Sequence, residues 1–289
     1  MLILFTDTDT DLTPSMAKEY GYNLISMPYT IGEKTTYPYI DFKTFDAHKF
    51  YDTLRGGVLP TTSALNPEEY KKYFEPHFKN GDDILYVHFS KAMSGTFNAL
   101  NIALEELKET YPDRKCYMID TKGITLLSLS IVLEVGKLYK EGKSIEEILA
   151  WADKEVDKFA VYFFCDDLKF FRKSGRVSGL AGIMGNLIGI KPIIYMNDEG
   201  KMTSIGKEKG KNKAIRNLVN KVVELGDDVK NHKMIVGSTD APELVKELVK
   251  ELKEALGDDL DILIVDVNPT AGSHCGPDTL GVSFHAKHR

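Results

Sequence analysis

The sequence has 289 residues, 43% hydrophobic and 28% charged, proportions that fit a globular protein with room for two domains. Its net charge of −6, with acids and bases interspersed, excludes the electrostatic footprint of a nucleic-acid binder and disfavours polybasic contact with anionic lipid headgroups. No apolar run is long enough to span a membrane, no signal or transit pattern precedes Leu2, and three cysteines show no close pairing, so the expected compartment is the reducing cytoplasm.

Leu2 to Thr6 reads as a buried strand ending in the polar run Asp7-Thr8-Asp9-Thr10-Asp11. Such a run brings Mg²⁺ to mind, but it is read here as a solvated loop leading to a helix cap. Thr13-Pro14 supplies that cap and opens a helix to Tyr20. Asn23 to Ile31 and Thr35 to Ile40 read as extended. Asp46 caps a helix through Phe50 and Leu54, stopped at Gly56-Gly57. The hydroxyl-rich loop Pro60-Thr61-Thr62-Ser63 follows. Asn66-Pro67-Glu68-Glu69 then starts a helix expected to bend or end near Pro76.

Ile84 to Ser90 is a β-rich apolar run. Beyond it Phe97, Leu100, Leu104 and Leu107 recur at helical spacing, which places Ser94 at the N-cap of a helix. A strand from Lys115 to Asp120 and a helix from Ile124 to Lys140 follow. Ser144-Ile145-Glu146-Glu147 is a capping box for one more helix. This alternation predicts βαβ units on a mainly parallel sheet.

After about residue 160 the pattern changes. A strand at Phe159 to Cys165 precedes a short helix, Asp167 to Lys173. The segment from Gly179 to Ile190 carries glycines among Leu, Ile and Met, suited to close packing or to a greasy cavity wall. Lys191 to Met196 and the turn Asn197-Asp198-Glu199-Gly200 predict a hairpin. Helices are expected from Asn212 to Leu225 and Pro242 to Leu256, with strands at Met234 to Ser238 and Ile262 to Val267. Pro269 to Gly281 reads as a polar loop holding His274, before a last strand from Val282 to His285. The fold class is therefore α/β in two domains. Residues 1–160 form a Rossmann-like unit of mainly parallel sheet with flanking helices, and residues 161–289 an α+β unit with a mixed sheet.

Two hydroxyl clusters, Thr61-Thr62-Ser63 and Ser94-Gly95-Thr96, sit beside helix N-termini. Ligands of parallel sheets collect at the C-terminal strand edge. Converging there, the two clusters would hold two oxygens of a carboxylate or phosphate, although each taken alone reads as an ordinary cap or turn. Arg176, beside the apolar glycine segment, is a candidate cation for the same head group. A serine hydrolase using Ser94 and His274 is the alternative reading. A nucleophile elbow needs glycine two residues to either side of the serine, and Ala92 and Thr96 stand there instead. Metal-ligand, dinucleotide and phosphate-loop spacings are missing.

In combination, Thr6-Asp7-Thr8-Asp9, Pro60-Thr61-Thr62-Ser63, Ser94-Gly95-Thr96, Lys173-Ser174-Gly175-Arg176-Val177-Ser178 with Lys191-Pro192-Ile193, and His274-Cys275-Gly276-Pro277 resemble the DegV family. The resemblance spans nearly the whole chain. It implies a non-catalytic protein that binds a long-chain fatty acid in a tunnel between its two domains. The carboxylate would be held by Thr62 and Ser94, with Ser63 and Gly95 as neighbours and with Arg176 and His274 completing the site. No cofactor or metal is implied. In some bacteria such proteins are the binding subunit of a fatty-acid kinase that feeds phospholipid metabolism. A separate ATP-using kinase subunit is thus the implied partner, and the protein itself is expected to be a monomer. The sequence departs from the family pattern at Ala64-Leu65, Thr121-Lys122-Gly123, Lys207-Glu208-Lys209 and Asp278, none of them a head-group residue.

Overall fold

The computed structural model describes residues 1–178 and 189–289. In chain order the first part runs β1 (Leu2–Asp7), α1 (Pro14–Tyr20), β2 (Tyr22–Ile25), β3 (Tyr29–Ile31), β4 (Lys34–Thr36), α2 (Ala47–Arg55), β5 (Thr61–Thr62), α3 (Pro67–Lys79), β6 (Asp83–His88), α4 (Thr96–Thr110), β7 (Cys116–Asp120), α5 (Leu126–Lys140) and α6 (Ile145–Glu155). The second part runs β8 (Phe159–Phe164), α7 (Lys169–Ser174), β9 (Val177–Ser178), β10 (Ile190–Met196), β11 (Met202–Lys209), α8 (Lys211–Leu225), β12 (Met234–Ser238), α9 (Pro242–Leu256), β13 (Ile262–Asp266), α10 (Pro269–Cys275) and β14 (Leu280–His285).

Three sheets result. A four-stranded sheet in the order β2-β1-β6-β7 is parallel throughout. A seven-stranded mixed sheet has the order β13-β12-β14-β8-β10-β11-β9, and β4-β3-β5 make a small antiparallel sheet. Both expected sheet types are therefore present. Gly179, Gly182 and Gly185 of the glycine segment lie outside the described residues.

The central strands of the mixed sheet, β12, β14, β8 and β10, are buried on both faces, and strand periodicity decides what each face meets. Tyr162, Phe164, Ile193, Val236 and Val282 point toward Leu218 of α8 and Leu248 of α9. The alternate residues Val161, Cys165, Ile194 and Ile235 join Leu85 and Val87 of β6 in one hydrophobic cluster shared with the parallel sheet. Helix α5 sits within that shared cluster. Its buried residues run almost continuously from Leu126 to Val135, as expected for a helix covered all round. Its polar side chains are paired: Ser130 Oγ lies 2.9 Å from Ser283 Oγ of β14, and Ser128 Oγ lies 2.8 Å from Thr121 Oγ1.

Several caps form as the residue types require. Thr13, Asp46, Asn66 and Ser144 each accept a bond from a backbone N–H of their helix, and the last two complete capping boxes. Three expectations are corrected. Helix α3 continues past Pro76 to Lys79, because Tyr70, Phe74 and Phe78 form one buried stripe. At about 1.5–3 kcal/mol per buried side chain, that stripe outweighs the roughly 3 kcal/mol cost of an interior proline. The segment read as a polar loop holds α10, opened by the Asn268 side chain accepting from Ala271 N at 2.9 Å, with Pro269 in the first turn. Its burial on nearly every side leaves no amphipathic period to read. The third correction concerns Asp7–Asp11, which is buried and not solvated.

Candidate functional site

The parallel strands end in loops that face the mixed sheet, and a cavity of about 180 Å³ lies between them. Asp9, Phe89, Ser94 and Ile124 reach it from the C-terminal edge of the parallel sheet. Val161, Phe163, Met196 and Gly281 reach it from the mixed sheet, while Thr62 and His274 come from β5 and α10. Four of the nine methionines, Met27, Met93, Met196 and Met202, line it. Unbranched, polarizable side chains of that kind adapt to a flexible apolar ligand.

Glycine makes room at two strand positions. A Cβ on Gly237 would run into Leu126, and one on Gly281 would stand 2.8 Å from Phe163 Cβ. Gly276, at φ +73°, lets the end of α10 pass directly over the Phe170 ring.

Every residue expected to hold a head group lines this cavity: Thr62, Ser63, Ser94, Gly95, Arg176 and His274. Thr62 Oγ1 lies 2.9 Å from His274 Nε2, across 212 residues of sequence. Burial, followed by the positive charge of Arg176, pushes the His274 imidazole down to about 4, so the ring is neutral near pH 7. Arg176 itself is exposed at the residue level, and its guanidinium donates to Ser174 O.

Ser94 is not the N-cap. Lys91–Met93 form a short 3₁₀ turn capped by Ser90, and Ser94 is extended, so the formal cap of α4 is Gly95. The Ser94 hydroxyl still meets the helix start, accepting from Thr96 N at 3.2 Å. Its O–H remains available to donate. Among the described residues it makes no hydrogen bond to His274, whose Nε2 faces Thr62.

The partners that enclose the acidic loop are remote in sequence. Asp7 accepts from Tyr86 OH at 3.0 Å, Phe89 N at 3.2 Å and Asp9 N at 3.1 Å. Asp11 accepts from both Asn268 N and Asn268 Nδ2. Burial pushes both carboxyls up to about 7. Asp9 is raised well above the ordinary carboxyl value, by burial and by its neighbours Asp7 and Asp11. Among the described residues no group of three or more His, Cys, Asp or Glu is arranged to hold a metal ion, and no helix is long and apolar enough to cross a membrane.

Together these elements define an α/β protein with a largely apolar cavity between a parallel and a mixed sheet, with hydroxyls and an imidazole grouped on its wall. A family model described as "Uncharacterised protein, DegV family" matches residues 1–287, and the chain belongs to the DegV family. A DegV domain-containing protein of Clostridium perfringens is 34% identical over 282 residues, 98% of this chain and 96% of the relative. Among solved structures, a DegV family protein of Thermus thermophilus described by its fatty acid binding has a TM-score of 0.84 at 23% identity, covering 99% of each chain. A stearic acid-binding protein of Eubacterium ventriosum has a TM-score of 0.85 at 21% identity, also covering 99% of each chain. At these identities the solved structures show a shared fold.

Proposed function

We propose that this protein binds a long-chain fatty acid in the cavity between residues 1–160 and 161–289, taken as two domains, and presents its carboxylate. The observation that carries the reading is the Thr62–His274 pair in an otherwise largely apolar cavity. A carboxylate accepts hydrogen bonds and donates none. With the neutral imidazole donating from Nε2 to Thr62, the Thr62 O–H donates onward to one carboxylate oxygen. Ser94 O–H and the N–H groups near Gly95 serve the other, and Arg176 supplies positive charge from the rim. Burying an acyl chain is worth about 0.8 kcal/mol per methylene, of which association and ordering costs remove a large share. The tail therefore supplies affinity, and the polar group supplies orientation.

The protein carries out no chemistry itself in this reading. A separate ATP-dependent kinase subunit takes the presented carboxylate to an acyl phosphate, which links the protein to phospholipid metabolism. The test is mass spectrometry of an organic extract of the purified protein, together with titration of the delipidated protein with stearate. Bound fatty acid, or saturable uptake of stearate, is expected. An extract without lipid, together with no uptake of stearate, would sink the reading. The kinase step is tested separately, by adding a candidate kinase and ATP to the loaded protein and looking for acyl phosphate.

A further inference from the structure

The two halves of the Thr62–His274 pair are built on separate elements. Thr62 belongs to β5, whose ladder partner is β3 in the small antiparallel sheet. That sheet and α2 have a hydrophobic cluster of their own, in which Tyr29, Phe50, Tyr51 and Leu54 pack with Phe170 of α7. His274 belongs to α10. Helix α2 reaches both ends of α10. Tyr51 is fully buried, and its hydroxyl donates to Val267 O at 2.7 Å, just ahead of the Asn268 cap. One turn further along the same face of α2, Arg55 Nη2 donates to Asp278 Oδ1 at 3.1 Å and Nε to Oδ2 at 3.4 Å, just beyond the end of α10 at Cys275. Its Nη1 donates to Asp240 Oδ2 at 2.6 Å, in the loop after β12. Asp278 stands at φ +60°, where the backbone favours glycine. A side chain is kept there all the same, and what it supplies is a second carboxylate for the Arg55 fork.

We propose that Arg55 is a positioning residue of the head-group site: by gripping Asp278 and Asp240 it registers α10, and with it His274, against the segment that carries Thr62. The inference rests on the fatty-acid reading and adds to it what sets the geometry of the grip. A 2.9 Å bond between Thr62 and His274 needs its two supports held to within about 0.5 Å. The Tyr51 contact ahead of the first turn fixes where α10 begins but not how it is tilted. A planar guanidinium bonded to two carboxylates fixes direction as well as distance, and it does so at the far end of the helix. The Arg55 side chain is 29% exposed. A single ion pair at such a site contributes little, whereas a fork shared between two carboxylates forms a network.

The test is competitive binding of myristate and 1-tetradecanol, which differ only at the head group. The tail serves both alike, so the ratio of their affinities reads the grip itself. The unchanged protein is expected to favour the acid. Arg55→Ala is expected to lower that ratio about tenfold, the scale of one buried hydrogen bond, with the affinity for the alcohol little changed. Arg55→Lys, which keeps the charge and loses the fork, is expected to recover part of the ratio. A loss shared equally by both ligands would make the role of Arg55 merely structural and overturn the proposal, and so would an unmoved ratio. If Arg55→Ala does not fold, Asp278→Gly decides. It suits the backbone at that position and removes only the carboxylate, so a lowered ratio is expected and an unmoved one overturns the proposal. A preference for myristate that survives these variants overturns this inference alone. Equal binding of acid and alcohol by the unchanged protein removes the grip and the proposal with it, and no binding of myristate overturns the fatty-acid reading as well.

Discussion

Asp11 and Asn268, 257 residues apart, are joined by two hydrogen bonds to one oxygen: Asp11 Oδ1 accepts from Asn268 N at 2.8 Å and from Nδ2 at 2.7 Å. The same Asn268 side chain accepts from Ala271 N and so opens α10, the helix that carries His274. The loop after β1 thus holds the imidazole in place from behind. Asn268→Ala removes the cap, worth about 0.5–2 kcal/mol, and strips a buried carboxyl of one of its partners at about 1–3 kcal/mol. A loss of roughly 2–4 kcal/mol in denaturant unfolding is expected, accompanied by weaker stearate binding. A change under about 0.5 kcal/mol would show that the link carries no weight.

Thr62→Val keeps the shape of the side chain and removes its hydroxyl. The His274 ring then loses its 2.9 Å partner. Stearate affinity in isothermal titration is expected to drop about tenfold, on the scale of one buried hydrogen bond. Ser94→Ala should act in the same direction, and the double variant should lose more than either. Unchanged affinity in the double variant would remove both residues from the head-group site.

Arg176 is the charge that joins burial in holding the His274 imidazole down. In Arg176→Ala the midpoint of His274, followed by NMR of the ring protons, is expected to move upward from about 4. A midpoint that stays put would mean that burial alone sets it. Because Arg176 is exposed, its contribution to carboxylate affinity is expected to be modest, about 1 kcal/mol or less, and to shrink as salt is added.

Stability should fall as pH rises from acid to neutral, and Asp7 is a main cause. Below the ordinary carboxyl value of 3.8 both the folded and the unfolded chain hold the proton. Above 3.8 the unfolded chain ionises while the folded carboxyl stays protonated up to about 7, so the folded state loses ground across that window. Asp11 acts in the same sense. His274 acts oppositely, because the unfolded ring takes a proton below 6.5 and the folded ring only below about 4. Asp7→Asn should therefore flatten the decline between pH 4 and pH 7 by a few kcal/mol, read from urea midpoints across pH. An undiminished slope would show that Asp7 is ionised in the folded protein.

Gly237→Ala should trim the cavity beside α5, since the added methyl meets Leu126. The cost expected from overpacking is about 1–3 kcal/mol. Binding should weaken more for long acyl chains than for short ones, as a chain-length series would reveal. An equal effect on every length would place Gly237 away from the tail.

Local chemistry made much of this architecture legible. Thr13-Pro14 and Asn66-Pro67 announce helix starts, and so does Asn268-Pro269, whose signal was overridden by the polar composition around it. Residue type and family pattern pointed to Thr62, Ser94, Arg176 and His274, which line one cavity. The burial of Asp7, Asp9 and Asp11 was not legible. Tyr86, Phe89 and Asn268, which enclose the loop, stand 79 to 257 residues away from the acids they bond, and a run of acids looks the same in sequence whether it meets water or a wall. The methionine and glycine lining was equally hidden, because its members come from separate strands that only the sheet order brings together.

The single hydrophobic cluster shared by β6, α5 and the inner face of the mixed sheet bears on time as well as on affinity. Prising the two sheets apart would wet that entire cluster at once, a large cost for any opening between them. If the fatty-acid reading proposed above holds, an acyl chain is therefore expected to pass by way of the short segments that carry Thr62, Ser94 and Arg176, and to leave slowly. The protein is then expected to keep its cargo through dilution and washing.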